Sequence, residues 1–526
     1  YFQQDDNVYS LTQNDITALA VTQRHELVVA TTKGLNFYNP ATDGFVRIVS
    51  SRETMENVIS CNLIKCLYAD KSMLWIGTEI GGIDKMESRD LSVRIFTNER
   101  GQAASLPDNP VNCIYEDSRH NLWVGNIDQG ISMRRSGTDE FIHFRHSGTS
   151  GLPDNNIYDM KEDNRNQLWV ATWGGGVCKA SLSGLPNPKF TAYDNRKSNL
   201  PSNFVGSLCF DRMNDGMWIG TTKGLCFFDL KTESVFRVPL PADGQPNNSL
   251  TNMIIDRKQR LLIGSHHGLL VLDLYSFAKN RKNVHYHYME YKLDNPSSRL
   301  IEKICCIFEA SDGTIWLGSN GYGVYRLDSD KKYPYKFKNL TVNNGLCDNT
   351  IYGILEDRHH RLWFSTNNGL ACYTRQSGSF SDYYQKDGLI TDQFYWNAFC
   401  KAHDETLYFG GLNGMLGLND VHTVPVRHTE KVVFTQLSVL DNEIAQGGNN
   451  YLEESISWAK KIHLHERDKS FSIEFSTLDF ENEGKLKYYY RLAGFDEKWI
   501  ECDPKRHYAS YTNLKAGHYI FQVKVR

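Results

Sequence analysis

The chain has 526 residues, 40% apolar and 12% aromatic, with 40 glycines against 14 prolines, enough for a large core and more than one domain. A formal net charge of −4 gives no broad basic footprint, which argues against nucleic acid or an anionic membrane surface as a partner. No run of 18 apolar residues and no charged-then-apolar leader is present, so a membrane span and a secretion signal are not expected within these residues.

From the N-terminus onward one phrase recurs nine times: an apolar run ending in Gly, Ala or Ser, a polar loop, then Gly and a second apolar run. The copies centre on Val28, Trp75, Trp123, Trp169, Trp218, Leu262, Trp316, Trp363 and Tyr408, at intervals of 44 to 54 residues. Such a period, with several short strands in each repeat, is the pattern of a β-propeller with one four-stranded blade per repeat. In 349–379, Asn349 to Asp357 alternates and reads as an inner strand, followed by a turn at Asp357-Arg358-His359-His360. Leu362 to Ser365 reads as the second strand, Asn367-Asn368-Gly369 as a tight loop, Leu370 to Tyr373 as the third strand, and the stretch near Phe380 as the fourth. Gly369 and its equivalents fit a turn that needs positive φ, and the small residue after each Trp fits close packing between blades. The last seven copies make one complete propeller, expected over 105–425. Residues 1–104 are then blades of a truncated preceding propeller, with a single ring of eight or nine blades left open by counting alone.

The twelve cysteines fit no metal or redox template. Cys61, Cys66, Cys113, Cys209, Cys305 and Cys306 fall in inner-strand segments and Cys178, Cys226 and Cys372 in third strands, while Cys347, Cys400 and Cys502 stand apart. No CxxC occurs, and buried free thiols are expected. After residue 420 the repeat stops. Asp420 to Val426 reads as a linker, and the longer strands around Val432–Leu437, Phe471–Phe475, Leu486–Leu492 and Gly517–Val525 point to an immunoglobulin-like β-sandwich over 426–526, incomplete at its C-terminus. The fold class is therefore all-β: a seven-bladed propeller, two further blades before it, and a sandwich after it.

The stretch Tyr488-Tyr489-Tyr490-Arg491-Leu492-Ala493-Gly494-Phe495-Asp496-Glu497-Lys498-Trp499, followed by Tyr508, Tyr511-Thr512-Asn513-Leu514, Gly517 and Tyr519, resembles the three-tyrosine domain that follows the regulatory propellers of bacterial hybrid two-component sensors. The phrase Leu74-Trp75-Ile76-Gly77-Thr78 before Gly81-Gly82, and the last blade from Leu407 to Gly414 leading to Val432, resemble the same family. This resemblance implies the periplasmic sensor of a hybrid histidine kinase, part of an inner-membrane protein, of the kind with which gut Bacteroidetes detect glycan fragments and switch on polysaccharide-utilisation genes. It also implies two seven-bladed propellers ahead of the three-tyrosine domain, then a membrane helix, kinase core, receiver and helix-turn-helix region. The chain departs from that pattern in having nine blade phrases and no kinase. The partners so implied are an oligosaccharide and a second copy of the chain, paired through the C-terminal sandwich. No nucleic-acid contact by this region is implied, and the membrane is met only through a helix outside it.

No GxSxG, HExxH, Walker or Rossmann pattern occurs in a supporting context, so no catalytic residue, cofactor or metal is expected. His266-His267 and His359-His360 are adjacent pairs, whose side chains point to opposite sides. Glu116-Asp117, Glu162-Asp163 and Glu356-Asp357 recur at one blade position, which marks them as turn formers rather than an acid/base couple. Ligand contacts are expected where a blade departs from its siblings on the face formed by the second-to-third-strand loops and the loops leading into inner strands. There stand Trp173, Asn320 and Tyr322 in Asn320-Gly321-Tyr322-Gly323, and Tyr395-Trp396. Aromatic rings stack on apolar sugar faces and Asn bonds hydroxyls; packing within the propeller is the other role open to these rings. Two other functions fit the fold, a polysaccharide-active lyase or hydrolase and a protein-interaction scaffold.

Overall fold

The repeat folds strand by strand as its residue pattern requires. In the computed structural model, Ile351–Glu356, Leu362–Thr366, Leu370–Thr374 and Ser379–Tyr383 pair antiparallel in that order. The structure describes residues 2–525 except 51–58, 88–91, 147–150, 241–249, 291–302, 331–334, 420–430, 445–450, 479–485, 503–506 and groups of up to three residues elsewhere. The linker expected at Asp420 to Val426 lies outside the described residues. Two compact units result, Asp90–Thr423 and Tyr1–Arg89 with Val424–Arg526.

Among the described residues, Asp90–Thr423 holds seven four-stranded sheets. Six are contiguous in sequence: blades 1 to 6 span 111–144, 157–193, 205–237, 250–290, 304–340 and 351–383. Blade 7 is composite. Phe394–Lys401, Leu407–Gly411 and Gly414–Asn419 supply its three inner strands, and Ser92–Phe96 supplies the outer one. The domain boundary drawn at residue 105 therefore cuts blade 7, because Ser92–Phe96, assigned by sequence to the preceding body, is paired from Asn419↔Ser92 to Met415↔Phe96. Its side chains lock into the ring: Phe96 meets Phe141 edge-on at 6.1 Å, the Arg134 guanidinium lies 5.2 Å from the Phe96 ring, and Arg94 pairs with Asp139.

The recurring Trp is the centre of packing in the five blades that carry it, blades 1, 2, 3, 5 and 6. Trp123, Trp169, Trp218, Trp316 and Trp363 are each less than 2% exposed. A buried indole needs an acceptor. Trp123, Trp169 and Trp363 donate Nε1–H to Asp117, Asp163 and Asp357 at 2.8, 2.7 and 2.9 Å, and Trp218 donates to Asp211 at 2.9 Å. Each of Asp117, Asp163 and Asp357 also accepts backbone N–H groups of its turn. Blade 5 has Ala310 at this position, and Trp316 Nε1 is buried with no acceptor. The Glu of each recurring pair does something else: it reaches the turn of the preceding blade. Glu162 binds Ser118 N and Oγ at 2.7 and 2.6 Å, and Glu356 binds Ser311 N and Oγ, both at 2.6 Å.

Glycine is required at the hairpin joining second and third strands. Gly369 has φ +95°, and a Cβ there would sit 2.4 Å from the Tyr383 carbonyl oxygen. The small residue two places after Trp answers to blade stacking: a Cβ on Gly318 would lie 2.8 Å from Ile351 of the next blade.

In the other unit, Ile16–Val21, Leu27–Thr31, Gly34–Asn39 and Gly44–Ile48 form one four-stranded sheet, and Ile64–Asp70, Met73–Thr78 and Ile83–Glu87 a three-stranded one. Val28, Ala30 and Leu35 of the first share a core with Ile64, Leu74 and Ile76 of the second. The C-terminal segment is an immunoglobulin-like sandwich of a four-stranded and a three-stranded sheet, with Leu437, Ile473, Phe475, Tyr488, Leu492 and Tyr511 in its core. Tyr511 donates to Asp496 at 2.6 Å, and Asp496 also accepts the Leu492 N–H at 2.6 Å, tying a tyrosine of the motif to the turn after Arg491-Leu492.

All twelve cysteines are free. Burial pushes the Cys209 thiol up to about 12 and also raises those of Cys113, Cys178 and Cys226. Cys66, expected inside, is exposed; Cys61 lies just before its strand and is half-buried. Thiolate is the reactive form, so a thiol reagent at pH 8 is expected to modify Cys66 and few others in the native protein, and all twelve after denaturation; several native disulfides by mass spectrometry would contradict this. For the orphaned indole, Ala310→Asp is expected to restore the acceptor its siblings have and to raise stability by about 1 kcal/mol, read as a higher denaturation midpoint.

Candidate functional site

One mouth of the propeller is built by two sets of loops that hydrogen bonds hold together. Gly130, Gly176, Gly323 and Gly369, at the second-to-third-strand hairpins, donate N–H to the carbonyls of Asn155, Asn203, Asn349 and Asp392 in the next blade's lead-in loop, at 2.7 to 3.0 Å. Asn155, Asn203 and Asn349 in turn accept the backbone N–H of His146, Asn195 and Val342 through Oδ1. The recurring Asn thus organises the crossing between blades at this mouth.

Blade 7 breaks the rim's regularity. Other inner strands shift register by a single residue near their start, as between Ile157 and Asp159. In blade 7, Phe394 pairs with Gly411 and the next pair is Phe399 with Phe409, so Tyr395, Trp396 and Asn397 belong to a wide bulge. Asn397 takes φ +56°, which Asn tolerates better than most residues. Its Nδ2 donates to Tyr158 O at 3.1 Å in blade 2 and to Gly206 O at 3.2 Å in blade 3, and its Oδ1 accepts from Asn252 Nδ2 at 3.2 Å in blade 4. Asn252 Oδ1 accepts Ile307 N–H of blade 5 at 3.1 Å. A single side chain of blade 7 therefore reaches three other blades through satisfied amide bonds. Sequence reading singled out its two neighbours and passed over Asn397, whose signal was the same irregular Gln393-Phe394-Tyr395-Trp396-Asn397 stretch. Beside it, Lys161 pairs with Asp159 at 2.8 Å; burial disfavours the Lys161 charge, and Asp159 more than offsets this, so its pKa is raised.

The expected ligand residues fall into two groups joined by this bulge. Trp173 stacks on Tyr158 at 4.4 Å and 16°, with Phe204 edge-on to it at 5.5 Å; one Trp173 face is thus taken, and Phe204, 44% exposed, is the more open ring. Across the mouth, the Lys303 ammonium lies 4.2 Å from the Trp396 ring centre, and Tyr352 lies 6.2 Å from Trp396. Asn320 donates its N–H to Lys303 O at 3.0 Å, and its Oδ1 accepts from the Thr350 hydroxyl at 3.5 Å. Tyr322 is exposed at the tip of its hairpin. Tyr395 alone turns away, packing against the core shared by blades 7 and 1. Burial raises the pKa of Tyr158 and Tyr352, so both phenols keep their O–H as donors at neutral pH. On the opposite face a cavity of about 180 Å³ between blades 6 and 7 is lined by Asp357, Arg361, Trp363, Asp404, Thr406 and Asn419. The Arg361–Asp357 pair at 2.6 Å occupies its wall.

Comparison with known proteins bears on what such a mouth belongs to. The family model described as "Two component regulator propeller" matches 105–128, 151–174, 300–321 and 345–368, and the "Y_Y_Y domain" model matches 479–526. The chain carries regulator propeller repeats followed by a Y_Y_Y domain. A curated relative from Formosa agariphila, named Histidine kinase P4, is 26% identical over 442 residues, which is 81% of this chain and 31% of that protein. The extracellular domain of the hybrid two component system BT4673 from B. thetaiotaomicron shares the fold with a TM-score of 0.51 at 20% identity, covering 98% of this chain and 66% of that one. The chain thus spans about a third of the curated relative's length. Among the described residues no helix is long and apolar enough to cross a membrane.

Asn397→Ala removes one side chain that satisfies groups in three blades. Leaving buried amide groups unpaired costs about 1–3 kcal/mol each, so the variant is expected to lose at least ~2 kcal/mol in chemical denaturation, far more than a typical exposed-Asn substitution.

Proposed function

We propose that this chain is the periplasmic ligand-sensing region of an inner-membrane hybrid histidine kinase/response regulator. It binds a glycan-derived oligosaccharide and, through a homodimer formed by the C-terminal sandwich, controls polysaccharide-utilisation genes. The region itself is not an enzyme; phosphoryl transfer belongs to the rest of the protein. The observation that carries this reading is the mouth around the Asn397 bulge, where Phe204, Trp173, Trp396 and Tyr322 present aromatic surface beside the Lys303 ammonium, the Asn320 side-chain amide and the phenols of Tyr158 and Tyr352. A flat ring for stacking and fixed donors for hydroxyls is the chemistry sugar recognition needs, and a regular ring of blades would offer no preferred site. The regulator repeats, the Y_Y_Y domain and the relative named as a histidine kinase support a signalling context. Signalling across a membrane then requires the ligand to favour one of two subunit arrangements.

Calorimetry against an oligosaccharide panel tests the reading. Binding of one glycan class is expected, with Trp396→Ala weakening it roughly five- to a hundred-fold, as for aromatic hot spots worth about 1–3 kcal/mol, while the melting temperature stays within a few degrees. Loss of stability with sugar affinity intact would make the rings packing residues, and turnover of the sugars would favour a lyase or hydrolase.

A further inference from the structure

The closure of the ring carries an unusual side-chain cluster on the face opposite the mouth. Glu116 ends the inner strand of blade 1 and reaches the turn of blade 7, as Glu162 and Glu356 reach the turns before them. At this seam the residue grasped is His403, not Ser118 or Ser311: Glu116 Oε2 accepts its N–H at 2.7 Å, and Oε1 lies 2.8 Å from its Nδ1. Blade 1 adds His120, at a turn position with φ +62° that Asn166 fills in blade 2. The rings of His120 and His403 stack at 3.6 Å and 23°, and one donor atom each from Glu116, His120 and His403 lie within 4.8 Å of one another. The blade 5/6 seam shows what the seam lacks elsewhere: there Glu356 and His360 face Ser311, a carboxylate and one imidazole only.

We infer that Glu116, His120 and His403 form a binding site for a divalent transition-metal ion of the zinc class, which bridges the first and last blades. Two imidazoles and one carboxylate are a recognised zinc donor set with a fourth position left for water, and the nitrogen donors disfavour magnesium and calcium. Zinc ligands at about 2.0–2.2 Å from the metal stand roughly 3.3 Å apart, so Glu116 and His403 need to separate by only a few tenths of an ångström. Both histidine side chains are exposed, and metal binding requires the stacked rings to turn out of their 23° arrangement so that both lone pairs meet one ion. Residues 287 positions apart supply the ligands, which is why no local spacing in the sequence announces them. The site is independent of the sugar reading.

Titration of the chelator-stripped full chain with ZnCl2 alone is expected to show one saturable site, unaffected by millimolar MgCl2, and zinc is expected to raise the melting temperature. His403→Ser installs the residue that Glu162 and Glu356 already grip elsewhere, and His120→Asn installs the blade 2 residue, so each variant keeps a tested turn while losing a ligand. Each is expected to weaken zinc at least tenfold and to abolish the zinc-dependent melting shift, with the metal-free melting temperature close to that of the parent. No saturable binding, or binding equal to the parent's in both variants, would overturn the site.

Discussion

The ring of this propeller closes by giving its last sheet a strand from the beginning of the ring, and the rest of the propeller is built around that contact. Ser92–Phe96 supplies the strand, paired residue for residue with Gly414–Asn419 up to Met415. Without it the third strand of blade 7 would be a bare edge, with unpaired N–H and C=O groups open to other chains. The closure is reinforced by different kinds of contact on each side. The Phe96 ring is held among Phe141, Tyr408 and Arg134, and Arg134 donates to the Tyr408 hydroxyl at 2.8 Å. Glu116 grips the blade 7 turn from blade 1.

Around that closure the ring is built by repetition. The Asp–Trp bond organises a blade internally, the Glu–turn bond joins it to its neighbour, and the Asn and Gly of the loops tie the other rim. Each is small, about 1 kcal/mol net for a typical hydrogen bond and more for a carboxylate acceptor. Repetition makes them collectively decisive and leaves the exceptions conspicuous. Ala310 forfeits one bond, Asn397 gains three, and His403 converts a clamp into a cluster of donors. The exceptions are where a symmetric scaffold acquires specific chemistry.

Strand order within a blade was legible in the sequence because it rests on local signals, alternation along Ile351–Glu356 and a glycine at residue 369 forced into positive φ. The mouth was legible as irregularity: Trp173, Asn320, Tyr322 and Trp396 do stand on one rim, whereas Tyr395 is turned into the core by the bulge it belongs to. What escaped depends on distant partners. Ser92–Phe96 follows Ile83–Glu87 and has the composition of the fourth strand that repeat needs, so only its pairing with residues more than three hundred positions later places it in blade 7. The recurring acidic pair was read as a turn former, which holds for its Asp; the Glu bridges blades, a role that becomes visible only when the neighbouring turn is in place.

The composite blade also has a mechanical consequence. Ser92 begins the outer strand, Asn419 ends the third strand, and the two are partners at the same end of an antiparallel pair. Tension drawing the flanking segments apart therefore loads these hydrogen bonds one at a time, in unzipping geometry, rather than all together in shear. The pair would open from Ser92–Asn419 toward Phe96–Met415, on the same sheet that carries Trp396 and Asn397 into the channel. The pair that opens by unzipping and the inner strand with the wide bulge are in the same blade.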